Sequence, residues 1–282
     1  MTTFPIGVLL DGFRLPVDEA LDKAVQVGAQ GIQVYATKGE LAPENLVGAK
    51  RAEFARKVAD HGLKISALCG DIGRFDDPAI NPGRIERSKR IMDLAKELGV
   101  DVVTTHIGVV PNDPAHPRYA IMQEACFELS QYADQMQAHF AIETGPEPAA
   151  VLKQFLDGLH STGVAVNLDP ANLVMVTGDD PVRAVHTLRD YIVHTHAKDG
   201  VKLADNDPEV VYGLVKNDVP TGRGFEEVPL GEGAVDWPRY LAALDEIGYR
   251  GYLTIEREVG PDPAADIAMA VRFLRAQMEV RQ

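Results

Sequence analysis

Polar and apolar positions along the chain alternate between two periods. Amphipathic stretches with helical spacing end in a glycine-bearing turn, and a short β-rich run follows each turn. These turn-and-strand pieces read VGAQGIQVYA, HGLKISALCG, LGVDVVTTHIG, AHFAIETG, TGVAVNLDP, YIVHTHAKDG and IGYRGYLTIERE, and an opening strand over residues 6–10 brings the count to eight. Glycine after a helix is the expected stop, because it accepts the left-handed conformation there. Strands that alternate with helices predict a parallel sheet, and eight such units predict a closed (β/α)8 barrel.

Alternation inside the strands assigns their faces. In FAIE, Phe140 and Ile142 share one face while Ala141 and Glu143 share the other. In VAVNLD, Val164, Val166 and Leu168 oppose Ala165, Asn167 and Asp169; in LTIE, Leu253 and Ile255 oppose Thr254 and Glu256. The large aliphatic set is expected under the helices and the small or polar set inside the barrel. In VHTHAKDG, His194 and His196 are two apart and so point the same way. Each inward set ends in an acid or a histidine at the C-terminal end of its strand, where barrel enzymes place their chemistry.

Glu143, Asp169, His196 and Glu256 come one from each of the last four strands. The first three are 26 and 27 residues apart, about one strand–helix unit, and the fourth lies 60 further on. That gap requires an insertion, and residues 201–233 supply one, polar and glycine-containing. It is read as a lid over the rim, at about 200–233 within a single domain of residues 1–282. A single acid at a strand end is more often a helix N-cap or a loop salt bridge than a functional group. Four on the inward face of successive strands instead form a donor set for one divalent cation, Mn²⁺ or Co²⁺ first and Mg²⁺ or Zn²⁺ next. Without a cation, three carboxylates in one pocket would repel, and at least one pKa would rise.

Composition narrows the partners. The formal charge of −14, from 28 basic against 42 acidic side chains, argues against a partner bound by phosphate neutralisation, and so against nucleic acid. Cys69 and Cys126 form neither a disulfide framework nor a CxxC pair, which fits a reducing cytoplasm. The opening MTTFPIGVLL has no basic leader region, and no apolar run approaches the ~20 residues that span a membrane. A cytoplasmic location and a small-molecule partner are expected, and a homo-oligomer is compatible with both. No glycine-rich phosphate cradle supports a nucleotide cofactor.

The segments AIETG, NLDPANL, HTHAKD, PLGEGAVDW and GYLTIERE together resemble the xylose isomerase-like TIM barrels, over essentially the whole chain. That superfamily includes ketose 3-epimerases, inosose dehydratases and isomerases, hydroxypyruvate isomerases and endonuclease IV-type repair enzymes. The resemblance implies a (β/α)8 TIM barrel in which Glu143, Asp169, His196 and Glu256 hold one divalent metal. It makes His196 the ligand and leaves His194, one layer deeper, to fill the barrel or orient a ligand.

The chain departs from the pattern at several positions. Ketose 3-epimerases carry Asp-x-x-His where DPAN places Asn172, and an arginine six residues after the metal histidine where this chain has Lys202. Asparagine shuttles no proton, and lysine lacks the planar two-pronged grip of arginine. Lys198 matches a lysine of the inosose and sugar-phosphate branches; it either polarises a substrate oxygen or pairs with Asp199. Of the ligands that a trinuclear endonuclease centre needs, His106 is present. Asn172 replaces another, and Phe225-Glu226-Glu227 stands in place of Asp-x-His, so a nuclease is disfavoured. His106 becomes a candidate substrate contact or a packing residue at the rim. Arg223 is a candidate grip for an anionic substrate, and Trp237 either packs a helix start or stacks on a sugar.

The expected chemistry starts at a carbonyl and a neighbouring hydroxyl of a keto-sugar, phosphorylated or not. Chelation by the metal acidifies the proton between them and stabilises a cis-enediolate. Glu143 and Glu256 are the pair expected to remove and return that proton. Return to the opposite face gives an epimer, return to the neighbouring carbon gives an isomer, and loss of a β-hydroxyl gives dehydration. An isomerase or epimerase is the first expectation, a lyase of the inosose dehydratase type the second, and a non-catalytic sugar-binding barrel the third.

Overall fold

The computed structural model describes residues 3–205, 207–216 and 223–280, so part of the expected lid, residues 206 and 217–222, lies outside the described residues. Eight parallel strands close into a barrel: β1 (Ile6–Leu9), β2 (Gly31–Tyr35), β3 (Lys64–Cys69), β4 (Val102–Thr105), β5 (His139–Glu143), β6 (Val164–Leu168), β7 (Ile192–Ala197) and, last in the chain, β10 (Leu253–Ile255). β10 closes the ring by pairing with both β7 and β1. Between β7 and β10 the chain forms a short antiparallel hairpin, β8 (Asp199–Lys202) against β9 (Phe225–Val228), inside the expected insertion.

Strand alternation sorts the side chains as the pattern predicts. Phe140, Val164, Val166 and Leu168 are buried in one apolar cluster with Leu152 and Phe155 of the helix Ala149–Asp157. The interior set is small or polar, and in places nothing larger than glycine fits. A Cβ on Gly7 would lie 2.8 Å from Thr254 Oγ1 on the neighbouring strand.

Two register shifts adjust this alternation. Between β2 and β3, Ile32 pairs with Ile65 but Gln33 pairs with Ala67. Between β6 and β7, Val166 pairs with Ile192 but Asn167 pairs with His194, so Val193 is passed over. A side-chain period of two means that passing over one residue exchanges the faces of everything beyond it. Ile192 therefore sits beside the outward Val166, while His194 and His196 fall on the inward face with Asn167.

Candidate metal and catalytic site

The four predicted ligands converge. Glu143 ends β5, Asp169 and Glu256 directly follow β6 and β10, and His196 is the penultimate residue of β7. All four are buried, and one donor atom from each lies within 4.8 Å of the others. His196 Nδ1 faces Glu256 Oε2 at 3.3 Å, Asp169 Oδ2 at 3.5 Å and Glu143 Oε1 at 3.6 Å. The two oxygens of Asp169 divide two roles. Oδ1 accepts from the Asn172 N–H at 2.8 Å as an N-cap, while Oδ2 and His196 Nδ1 lack a hydrogen-bond partner among the described residues. Orphaned acceptor atoms aimed into a ring of carboxylates fit a divalent cation well, and the mixed oxygen–imidazole set suits one of intermediate hardness.

The electrostatics carry the same strain. Burial opposes a charged imidazole at His196, yet Glu256 and Glu143 hold its pKa well above the usual histidine range. Burial raises the Asp169 pKa. Burial also works against ionised Glu256, but Lys198 and His196 keep its pKa well below the ordinary carboxylate value. A proton on His196 thus occupies the electrostatic role that a cation would take.

Below the ligands, Gln33 on β2 reaches across the barrel. Its Oε1 lies 3.1 Å from His196 Nε2 and 3.0 Å from His194 Nε2, and its Nε2 donates to Thr104 Oγ1 at 3.0 Å. An acceptor at Nε2 favours a proton there and leaves Nδ1, the atom facing the three carboxylates, as the one available to a cation. His194 is buried one layer down, and burial together with neighbouring His196 pushes its pKa down to about 3. That is a neutral, barrel-filling histidine.

The other predicted residues divide into two groups. Asn172 Nδ2 donates to Glu143 Oε1 at 2.8 Å and so orients that carboxylate. His106 Nε2 stands 3.7 Å from the same oxygen, and its Nδ1 lies 3.2 Å from Asp71 Oδ2. Burial disfavours the His106 charge, but Glu143 and Asp71 push its pKa up to about 9. Lys198 does not pair with Asp199; its Nζ meets Glu256 Oε2 at 3.0 Å and Glu258 Oε2 at 2.5 Å. His106, Asn172, Lys198 and Arg223 all line one cavity of about 570 Å³ above the ligands. Lys202 is not among its lining residues, and its ammonium meets Asp205 at 3.0 Å.

Several residues take roles that the sequence pattern left open or did not assign. Asp199 Oδ2 accepts from the Gly231 N–H and the Trp237 indole, both at 2.9 Å, and its Oδ1 accepts from the Val235 N–H at 3.2 Å. The acid of HAKDG therefore clamps the PLGEGAVDW loop. Trp237 is buried, edge-on to Tyr240 and Phe273, so it packs a helix start and meets no sugar. Tyr212, from the insertion, lies over His106 with ring centroids 6.0 Å apart. Gly145 makes room for it: at φ +139° its absent Cβ would lie 2.9 Å from Tyr212 Oη and 2.5 Å from Asn172 Cβ. The one legible hint of Gln33 was an amide on the inward face of an otherwise apolar strand.

A closed parallel barrel with acids and a histidine buried at its C-terminal rim is built as a barrel enzyme is built. The chain belongs to the xylose isomerase-like TIM barrel family, whose sequence profile matches residues 21–277. It is 29% identical over 156 residues to an inosose dehydratase of Lacticaseibacillus casei, a match covering 52% of this chain and only about half (49%) of that protein. It is 23% identical over 274 residues to the L-ribulose-5-phosphate 3-epimerase UlaE of Escherichia coli K12, covering 92% of this chain and 89% of the other. Among solved structures, a xylose isomerase domain protein from Planctomyces limnophilus superposes with a TM-score of 0.79 at 25% identity, over 97% of this chain and 96% of that one. No helix among the described residues is long and apolar enough to cross a membrane.

Proposed function

We propose that the protein is a divalent-metal-dependent isomerase or epimerase of a keto-sugar or related polyol. The observation that carries this reading is the buried Glu143–Asp169–His196–Glu256 set with two donor atoms left unpartnered. A cation held by these four residues would supply Lewis-acid polarisation of a carbonyl and its neighbouring hydroxyl. The chain's own residues do the rest. Glu143 and Glu256 approach the cavity from β5 and β10, with β6 and β7 between them, and remove and return the proton on the carbon beside the carbonyl. Asn172 holds Glu143 in place, and Lys198 does the same for Glu256. Tyr212 and His106 wall the cavity and limit water around the reacting carbon.

Dehydration is the second reading, and one contact favours it. The buried Lys198 ammonium touches Glu256 at 3.0 Å, so an acid stands beside a base where a β-hydroxyl could depart. The relatives named as a sugar-phosphate epimerase and an inosose dehydratase support one reading each. Incubation with substrate in D₂O separates the outcomes. An epimerase places solvent deuterium at the inverted carbon, an isomerase at the carbon that accepts the proton, and a dehydratase releases an unsaturated product. Product formed with no solvent exchange would reject the two-carboxylate scheme in favour of hydride transfer between carbons.

A further inference from the structure

The lining of the cavity constrains the charge of what enters. Beyond the ligands Glu143 and Glu256, the carboxylates of Asp71, Glu226, Glu227 and Glu258 reach it, whereas Lys198 and Arg223 are its lysine and arginine among the described residues. These two and His106, whose neighbours favour its charged form, are already engaged; His106 stands 3.2 Å from Asp71 and 3.7 Å from Glu143. Lys198 Nζ meets Glu258 at 2.5 Å, Glu256 at 3.0 Å and Glu227 at 4.0 Å. Arg223 Nη1 lies 3.7 Å from Glu226, with its side chain 81% exposed. Arg257, which follows the ligand Glu256, is turned away into Glu227 at 2.6 Å and Asp266 at 2.8 Å.

Barrel enzymes that take phosphate esters commonly hold the phosphate on the loops after the last two strands and on a helix N-terminus nearby. In this chain those loops present Glu226, Glu227 and Glu258 instead. The nearby helix Pro263–Val280 has its first turn served by acids, since Asp262 Oδ1 accepts from the Ala265 N–H at 3.0 Å and Asp266 follows. An ionised carboxylate only accepts hydrogen bonds, which suits a hydroxyl donor and opposes a phosphate dianion.

We infer that the cavity selects uncharged, unphosphorylated keto-polyols, with Glu226 and Glu258 as the rim carboxylates that accept substrate hydroxyls and turn phosphate esters away. This rests on the keto-sugar reading above and adds the charge class of the substrate. It also separates the chain from its relative that acts on L-ribulose 5-phosphate.

The test offers the metal-loaded full chain matched pairs, L-ribulose against L-ribulose 5-phosphate and D-fructose against D-fructose 6-phosphate. Binding is followed by calorimetry and proton removal by deuterium uptake from D₂O. The free sugar is expected to exceed its phosphate by about 100-fold or more in affinity or kcat/KM, as a like-charge encounter with several rim carboxylates requires. Added salt should narrow that ratio by screening the exposed rim. Glu226→Lys should narrow it further by favouring the phosphate, a change in preference that a purely structural residue would not produce. A phosphate ester that binds and exchanges better than its free sugar overturns this inference and leaves the keto-sugar reading standing. A ratio that neither salt nor Glu226→Lys alters also overturns it. If no member of either pair binds or exchanges, both this inference and the reading beneath it fall.

Discussion

The two halves of the barrel meet at one rim and contribute to it differently. β5, β6, β7 and β10 supply all four of Glu143, Asp169, His196 and Glu256, charged, buried and crowded within 4.8 Å. β1 to β4 supply none of them. Among their inward polar groups, Gln33 and Thr104, with the Asp71–His106 pair on the loops above, each find a partner inside the protein. One half is left electrostatically unresolved where chemistry is expected, and the other is satisfied and acts as a frame. Local rules of folding are commonly broken at functional sites and kept elsewhere.

The largest effects should come from the unresolved half. Asp169→Ala and His196→Ala should each abolish tight binding of a divalent ion, measured by metal analysis after dialysis, and remove the rise in melting temperature that the ion produces. Full occupancy in the double variant would erase the contrast between the halves. Next in size, Glu143→Gln and Glu256→Gln should lower turnover by roughly 10²–10⁴-fold, because an amide neither takes nor returns a proton. Metal occupancy must be read beside the rates, since both residues are also expected ligands.

The framing half should tune where the other half abolishes. Gln33→Ala removes the acceptor behind His196 and should weaken metal affinity by roughly 10–100-fold without eliminating it. A complete loss would place Gln33 among the ligands in effect and blur the comparison.

The smallest effect concerns Glu147, four residues past Glu143 and buried, with the Val110 N–H at 3.1 Å as its one hydrogen-bond partner among the described residues. Burial pushes its pKa up to about 8, against the opposing bond from Val110. Between the unfolded value near 4.5 and that folded value, the native state holds the proton and the unfolded chain releases it. Stability from this group is therefore full below the window and declines as pH rises through it. Glu147→Gln should flatten this decline, melting within a few degrees of the parent at pH 5 and above it at pH 9. Parallel melting curves for the two proteins across that range would remove Glu147 from the account.

Much of this was legible in the sequence because it depends on short-range periodicity. Alternation of faces, glycine after helices and one-unit spacing are local properties, and they located the eight strands and the four converging residues. What escaped depends on contacts across the fold. Gln33 meets His196 across 163 residues, Asp199 clamps a loop more than 30 residues downstream, and Tyr212 comes from an insertion without repeating pattern. Lys198 was adjacent to Asp199 in sequence, yet neighbours in an extended chain point to opposite sides, and its partners Glu256 and Glu258 came from the segment after β10. Asp169 reads as a helix cap or as a ligand from sequence alone; in the structure one oxygen caps the Asn172 N–H while the other faces His196 with no hydrogen-bond partner among the described residues.

The residue passed over in β7 carries a consequence for how this site tolerates change. Val193 is half-buried, touches no ligand, and should tolerate exchange for other apolar residues. Neither its identity nor its presence carries much information. Removing it would leave Val166 beside Ile192, Asn167 beside His194 and Leu168 beside Thr195, now as an unbroken ladder with both imidazoles still turned inward. The four converging side chains would be encoded, in order and unaltered, in a strand one residue shorter that still assembles them. The strand thus holds one spare residue, and at this position the site is indifferent to a single-codon deletion as well as to a change of letter.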